Sequence, residues 1–150
     1  MGAAAAEAQT VTAAVCDASV LFKLVIAEPE SEKAEALVNS VRVFVPEFVF
    51  LEVGNALWAR VNRGAMTAEE AARLLARLLD LGFEVRSIGE LARRALILGT
   101  MARHPIYDCA YLALAEALGI PLVTADQRFL TALRRLTLQP VDVKPLNAFV

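Results

Sequence analysis

Four carboxylates in this chain stand where carboxylates are uncommon. Asp17 interrupts the apolar stretch AVCDASVLF, Glu52 lies inside EFVFLEVGNALWARV, Asp108 opens IYDCAYLALAEALG, and Asp126 follows PLVTA. At helical spacing the neighbours of Glu52 on its own face are Phe48, Asn55, Ala56 and Ala59, none of them basic. Asp108 sits between Tyr107 and Cys109, ahead of a run that is apolar except for the Tyr111 hydroxyl, with no evident cation nearby. A buried carboxylate without a partner costs several kcal/mol or is forced to protonate, so acids in such settings are usually paired or bind metal. Oxygen-only donors select hard cations, Mg²⁺ or Mn²⁺, over zinc or copper. The natural chemistry of such a group is phosphoryl transfer or phosphodiester hydrolysis.

A plainer account stands beside this one. Asp17 and Asp126 each precede a helix and could be simple N-caps, and Asp108 in a first turn gains from the helix dipole. Glu52 has no such account, because it lies mid-helix on an apolar face. Cys16 and Cys109 are too few for a disulfide scaffold and, with His104, lack the spacing of a zinc site. Cys16 is expected in the core, and no disulfide is expected. His104, next to Pro105 in a turn, is expected to face solvent rather than to act as a base. Phe48, Phe50, Leu51, Leu57 and Trp58 are expected mostly in the core.

Strands alternating with helices must position the acids. A β-rich run over residues 11–16 feeds a helix over 18–27 that Pro29 closes, and a helix over 30–40 leads to a second strand, VRVFVP. A helix over 47–62 stops at Gly64. Thr67 with Glu70 predicts a capping box for TAEEAARLLARLLDLG, whose Leu74, Leu75, Leu78, Leu79 and Leu81 make a wide apolar stripe. A third strand spans 83–86, and Ser87 with Glu90 predicts a cap for a helix running to about residue 103. A helix over 106–118, the strand PLVT, a helix over 126–136 and a last strand over 138–143 complete the pattern. It predicts an α/β three-layer sandwich, a mainly parallel central sheet flanked by helices. In such sheets ligands gather beyond the carboxyl ends of the strands, which is where Asp17 and Asp126 fall.

The order CDAS, LEVGNAL, IYDCAYLALA and PLVTADQRF resembles the PIN domain, especially the VapC-type toxin ribonucleases of toxin-antitoxin pairs, from about residue 11 to residue 138. The resemblance implies that Asp17, Glu52, Asp108 and Asp126 form an acidic quartet holding one or two Mg²⁺ or Mn²⁺ ions. It implies that Ser19, Asn55 and Thr124 orient ligands and water. The implied activity is metal-dependent endoribonuclease cleavage of RNA, and the implied partner is a small antitoxin protein whose Arg or Lys enters the acidic pocket. A HAD-type phosphatase would need an acid where Ser19 stands. A non-catalytic α/β binding module, its acids only capping helices, is the alternative from another class.

With 150 residues, the chain is long enough for one domain, taken as residues 11–150 behind a disordered leader over 1–10. The leader has no basic region ahead of its alanines and does not read as a secretory signal, so a cytoplasmic protein is expected. Asp108, Glu116, Gly119 and Pro121 interrupt the most apolar window, so no membrane span is expected. The net charge of -2, with twelve of the fifteen cations arginine, argues against a broadly basic surface. RNA would need a local groove, for which Arg60, Arg63, Arg103 and Arg128 are the first candidates, with Arg134 and Arg135. A hydrophobic content of 57% points either to a very full core or to a buried subunit interface, and a homodimer through the helices over 47–62 and 67–81 is expected.

Overall fold

Short runs of β-branched residues between amphipathic stretches yield five strands and seven helices in the computed structural model, which describes residues 11–137 and 139–149. The expected leader lies outside the described residues. In chain order the elements are β1 (Ala13–Cys16), α1 (Ala18–Val25), α2 (Ser31–Ser40), β2 (Arg42–Pro46), α3 (Val49–Asn62), α4 (Ala68–Leu79), β3 (Glu84–Arg86), α5 (Ala92–Ala102), α6 (Ile106–Leu118), β4 (Leu122–Thr124), α7 (Gln127–Leu133) and β5 (Val143–Pro145). Short 3₁₀ turns precede α5 and follow β5.

All strand pairs are parallel, in the order β3-β2-β1-β4-β5. The chain builds outward from β1 through β2 to β3, then returns to place β4 on the other side of β1. Right-handed crossovers therefore put α1 to α4 on one face and α5 and α6 on the other. The packing agrees: α1 contacts α2, α3 and α4, while α5 packs on α6 and α6 lies over β1 and β2. The central strand is buried on both sides through Ala14, Val15 and Cys16, as parallel sheets require. The register brings Cys16 beside Val123, so the carboxyl ends of β1 and β4 open next to each other where the strand order reverses. That is the crevice the topology reserves for ligands.

The element boundaries differ from expectation for identifiable reasons. Glu47 donates its backbone N–H to Arg86 at 3.0 Å and stays with the sheet, so α3 begins two residues later than expected. The Thr67 and Glu70 capping box forms as expected, with bonds of 3.1 and 2.8 Å. The one expected at Ser87 and Glu90 does not. The chain enters α5 through a 3₁₀ turn in which Leu91 N–H bonds Ile88 carbonyl at 2.8 Å, and no side chain caps it. α7 ends at Leu133, and its chain winds on to Leu136 by tighter bonds between residues three apart. The final strand lies at Val143–Pro145 rather than 138–143. Leu138, where that strand was expected to start, lies outside the described residues.

Candidate active site

Asp17 leaves β1 in extended conformation and caps α1, accepting from Val20 N–H at 3.3 Å. Its carboxylate is buried and takes two more hydrogen bonds, from the Ser19 hydroxyl on Oδ1 and from the Thr124 hydroxyl on Oδ2. Both hydroxyls are themselves fixed: Ser19 Oγ accepts from Ala125 N–H at 2.9 Å and Thr124 Oγ1 from Asp126 N–H at 3.0 Å. The ends of β1 and β4 are thus sewn together around one carboxylate. Ser19 and Thr124 each hold one of its oxygens.

Glu52 was expected mid-helix but, because α3 begins at Val49, it sits in the first turn, where the helix dipole favours an acid, and it accepts a 2.6 Å hydrogen bond from the Tyr111 hydroxyl of α6. The Tyr111 ring is fully buried, with Phe48 edge-on at 5.4 Å. Tyr111 lies three residues after Asp108, on the same side of α6, and a buried phenol normally finds a partner. That was the available signal for Tyr111, but nothing local in the sequence names Glu52 as the partner. Asp108 is not without a neighbour: His104 Nε2 lies 2.6 Å from its Oδ2, one helical turn back. His104 is therefore mostly buried rather than solvent-facing, and it stacks on Phe129 at 5.1 Å. The spacing of four residues was a legible sign of this pair.

Burial pushes the Asp17 carboxyl up to about 7, and the charge of Asp108 adds to the rise, against the opposing bonds from Ser19, Thr124 and Val20. Glu52 is raised as well, by burial first and then by Asp108, with the Tyr111 bond opposing. Tyr111 is pushed up by burial, then by Glu52, Asp17 and Asp108. The charge of Asp108 thus raises both Asp17 and Glu52, and no lysine or arginine is among the groups shifting those two. Asp126 stands apart. It caps α7, its Oδ1 accepting from Arg128 N–H at 2.9 Å and Phe129 N–H at 3.2 Å. Asn55 is exposed and makes no side-chain hydrogen bond among the described residues. Among the described residues no three acidic, histidine or cysteine side chains stand close enough to enclose an ion as they lie. The chemistry of the donor set nevertheless fits a hard divalent cation. Oxygen atoms dominate it, and buried carboxyls held above their ordinary range are those that a positive charge would stabilise most.

The candidate RNA contacts divide by position. Arg60 and Arg63 lie at the other end of α3 from Glu52, about 12 and 16 Å along its axis, and Arg60 covers the Phe22 ring. Arg103 ends α5 in left-handed conformation, and Arg128 stands in the first turn of α7. A groove of about 520 Å³ between His104 and α7 is lined by Pro105, Gln127, Arg128, Thr131 and Arg135. The core expectation also needs correction: Leu57 is buried, but Leu51 is 78% and Trp58 60% exposed. No helix among the described residues is long and apolar enough to cross a membrane.

Comparison with known proteins follows this geometry. The family model described as PIN domain matches residues 14–133. Ribonuclease VapC3 of Pyrobaculum aerophilum is 33% identical over 117 residues, spanning 76% of this chain and 89% of that protein. Ribonuclease VapC12 of Mycobacterium tuberculosis is 30% identical over 114 residues, with 76% and 87% covered. A crystal structure from Pyrobaculum aerophilum superposes with a TM-score of 0.67 at 23% identity, covering 92% of this chain and 93% of that one. VapC20 of Mycobacterium tuberculosis, a sarcin-ricin loop cleaving toxin, gives a TM-score of 0.61 at 19% identity, covering 79% and 94%. These structural likenesses show the shared fold.

Proposed function

The chain belongs to the PIN-domain family, and from that membership we propose that it is a VapC-type endoribonuclease that hydrolyses RNA phosphodiester bonds with Mg²⁺ or Mn²⁺. The observation that carries this reading is the buried carboxylate of Asp17 at the reversal of strand order, raised together with Glu52 by the charge of Asp108, with no lysine or arginine among the groups that shift those two. These three residues would hold the cation, as one ion or two, and Asp126 would join them through Oδ2, since its cap uses Oδ1. A bound divalent ion supplies the charge that makes water nucleophilic near neutral pH and neutralises the oxygens of the scissile phosphate.

The chain's own residues prepare the site. Ser19 and Thr124 fix both oxygens of Asp17 before substrate arrives, so little reorganisation is left for the reaction. Tyr111 holds Glu52 from the protein side, and His104 holds one oxygen of Asp108. Water attack in line with the 3′-oxygen breaks the bond to that oxygen, leaves a 5′-phosphate and does not use the 2′-hydroxyl as nucleophile.

An acidic pocket of this kind favours a partner that brings a cation. A small antitoxin placing an Arg or Lys against Asp17 and Asp108 would neutralise the pocket and block it. The same reading makes the protein cytoplasmic, the compartment of its RNA. The test is incubation of labelled RNA with purified protein, with Mn²⁺ and with EDTA, and mapping of the product ends. Cleavage that needs the metal and leaves 5′-phosphates is expected. Cleavage undiminished by the chelator would contradict the reading.

A further inference from the structure

The α7 side of the site carries an arrangement that the acids do not explain. The groove between His104 and α7 has an apolar floor, Pro105 and Ala132, and walls bearing Gln127, Arg128, Thr131 and Arg135. Among the described residues neither Arg128 nor Arg135 forms a salt bridge, whereas Arg42, Arg73, Arg86 and Arg94 all do. Arg135 is nonetheless positioned, its Nη1 donating to the Ala102 carbonyl at 2.8 Å. Arg128 is anchored at its root, where its N–H bonds Asp126. The groove also comes up to the acids, because His104 is part of its lining and the Nε2 of the same residue lies 2.6 Å from Asp108.

We propose that this groove is a substrate subsite that holds the RNA strand beside the scissile bond, with Arg128 and Arg135 on backbone phosphates and a base or ribose face on the apolar floor. The proposal rests on the nuclease reading and narrows it. Single-stranded nucleic acid is bound by cationic tracks interleaved with surfaces for bases, and guanidinium forks match phosphate oxygens in pairs. The chain as a whole is net negative, so a polyanion is attracted only where unpaired cations concentrate. Arg60 and Arg63 lie at the far end of α3, and neither lines the groove that His104 shares. The strand therefore runs over α7 and not along α3.

The test measures binding apart from cleavage. A short fluorescent single-stranded RNA is titrated in EDTA by anisotropy at several salt concentrations, with the parent, Arg128→Gln, the Arg128→Gln/Arg135→Gln double variant and Arg77→Gln as an exposed control on α4. Each lost phosphate contact flattens the dependence of log Kd on log salt by roughly 0.7 for a single strand. The double variant should flatten by about 1.4 and bind roughly 10-fold or more weakly, with Arg77→Gln like the parent. Because Arg135 also holds the end of α5, Arg128→Gln alone is the check, since its side chain breaks no internal bond; it should flatten by about 0.7. Cleavage with Mn²⁺ is scored separately. A parent that binds through the groove yet cleaves nothing contradicts the nuclease reading and upholds the groove. A parent that cleaves while both variants bind with unchanged salt dependence overturns the groove alone, as does a loss that instead follows Arg60→Gln and Arg63→Gln.

Discussion

Asp17 does two things with the same atoms. Its side chain caps α1, and its buried carboxyl is held up at about 7 against an ordinary 3.8. The capping and ligand readings of the sequence are therefore not alternatives at this position. The raised value has a consequence for stability without metal. In the unfolded chain the group loses its proton near 3.8, while the fold keeps it protonated to about 7, so the fold binds more protons between those limits. Stability from this group is complete below the lower limit and falls as pH rises through the window, by an amount on the order of a few kcal/mol. Glu70 and Glu84 shift downward and act oppositely, but both are exposed and weakly coupled to folding. Asp17→Asn, which caps equally well, should melt like the parent near pH 4 and above it near pH 8 in EDTA. Calorimetric melts across that range would show it, and a mutant that loses stability equally at both ends would contradict it. The acids were legible because an unpaired carboxylate in an apolar stretch needs a reason. Their partners were less so: Tyr111 and Glu52 are 59 residues apart, and only the fold joins them.

The turn between α5 and α6 is what delivers His104 to Asp108. His104 N–H bonds the Gly99 carbonyl at 3.0 Å, Arg103 takes a left-handed conformation, and Pro105 starts α6. A Cβ at Gly99 would lie 2.9 Å from the His104 carbonyl oxygen, so the turn closes only over a glycine. A Cβ at Gly54 in α3 would meet Leu75 at an ordinary 3.5 Å. The two helical glycines should therefore respond with opposite sign. Gly54→Ala should stabilise by roughly 0.5–1 kcal/mol through helix propensity, and Gly99→Ala should destabilise by roughly 1–3 kcal/mol and slow cleavage by displacing His104. Urea melts of both variants decide this, and a stabilised Gly99→Ala would show that the turn yields. Elements with a strong local signal, such as the Thr67 capping box and the helix over 106–118, were readable from the sequence. The start of α3 was not, because a sheet bond from Glu47 outweighs apolar pattern, and the last strand lies later than its apolar pattern suggested.

At the scale of the molecule the apolar excess seen in the composition reaches the surface. Leu51 and Trp58 of α3, Leu79 and Leu81 at the end of α4, and Leu96, Ile97 and Met101 of α5 are all exposed. The helices over 47–62 and 67–81 were expected to carry this surface. The share on α5 was no part of that expectation. Surface of this kind is usually covered, and a homodimer is the expected cover. Sedimentation at micromolar concentration should give twice the 16.2 kDa chain, and Trp58→Glu should shift it toward monomer. A parent that stays monomeric would contradict it. The central claim, that the acids at the reversal of strand order perform chemistry and do not only cap helices, is tested most directly by single-turnover RNA cleavage with Mn²⁺ by Asp17→Asn. Such a variant is expected to be fully folded and to cleave at least roughly 100-fold more slowly than the parent, about 2.7 kcal/mol of lost transition-state stabilisation. A folded Asp17→Asn protein that cleaves at the parent's rate would assign Asp17 to the architecture alone and contradict the account.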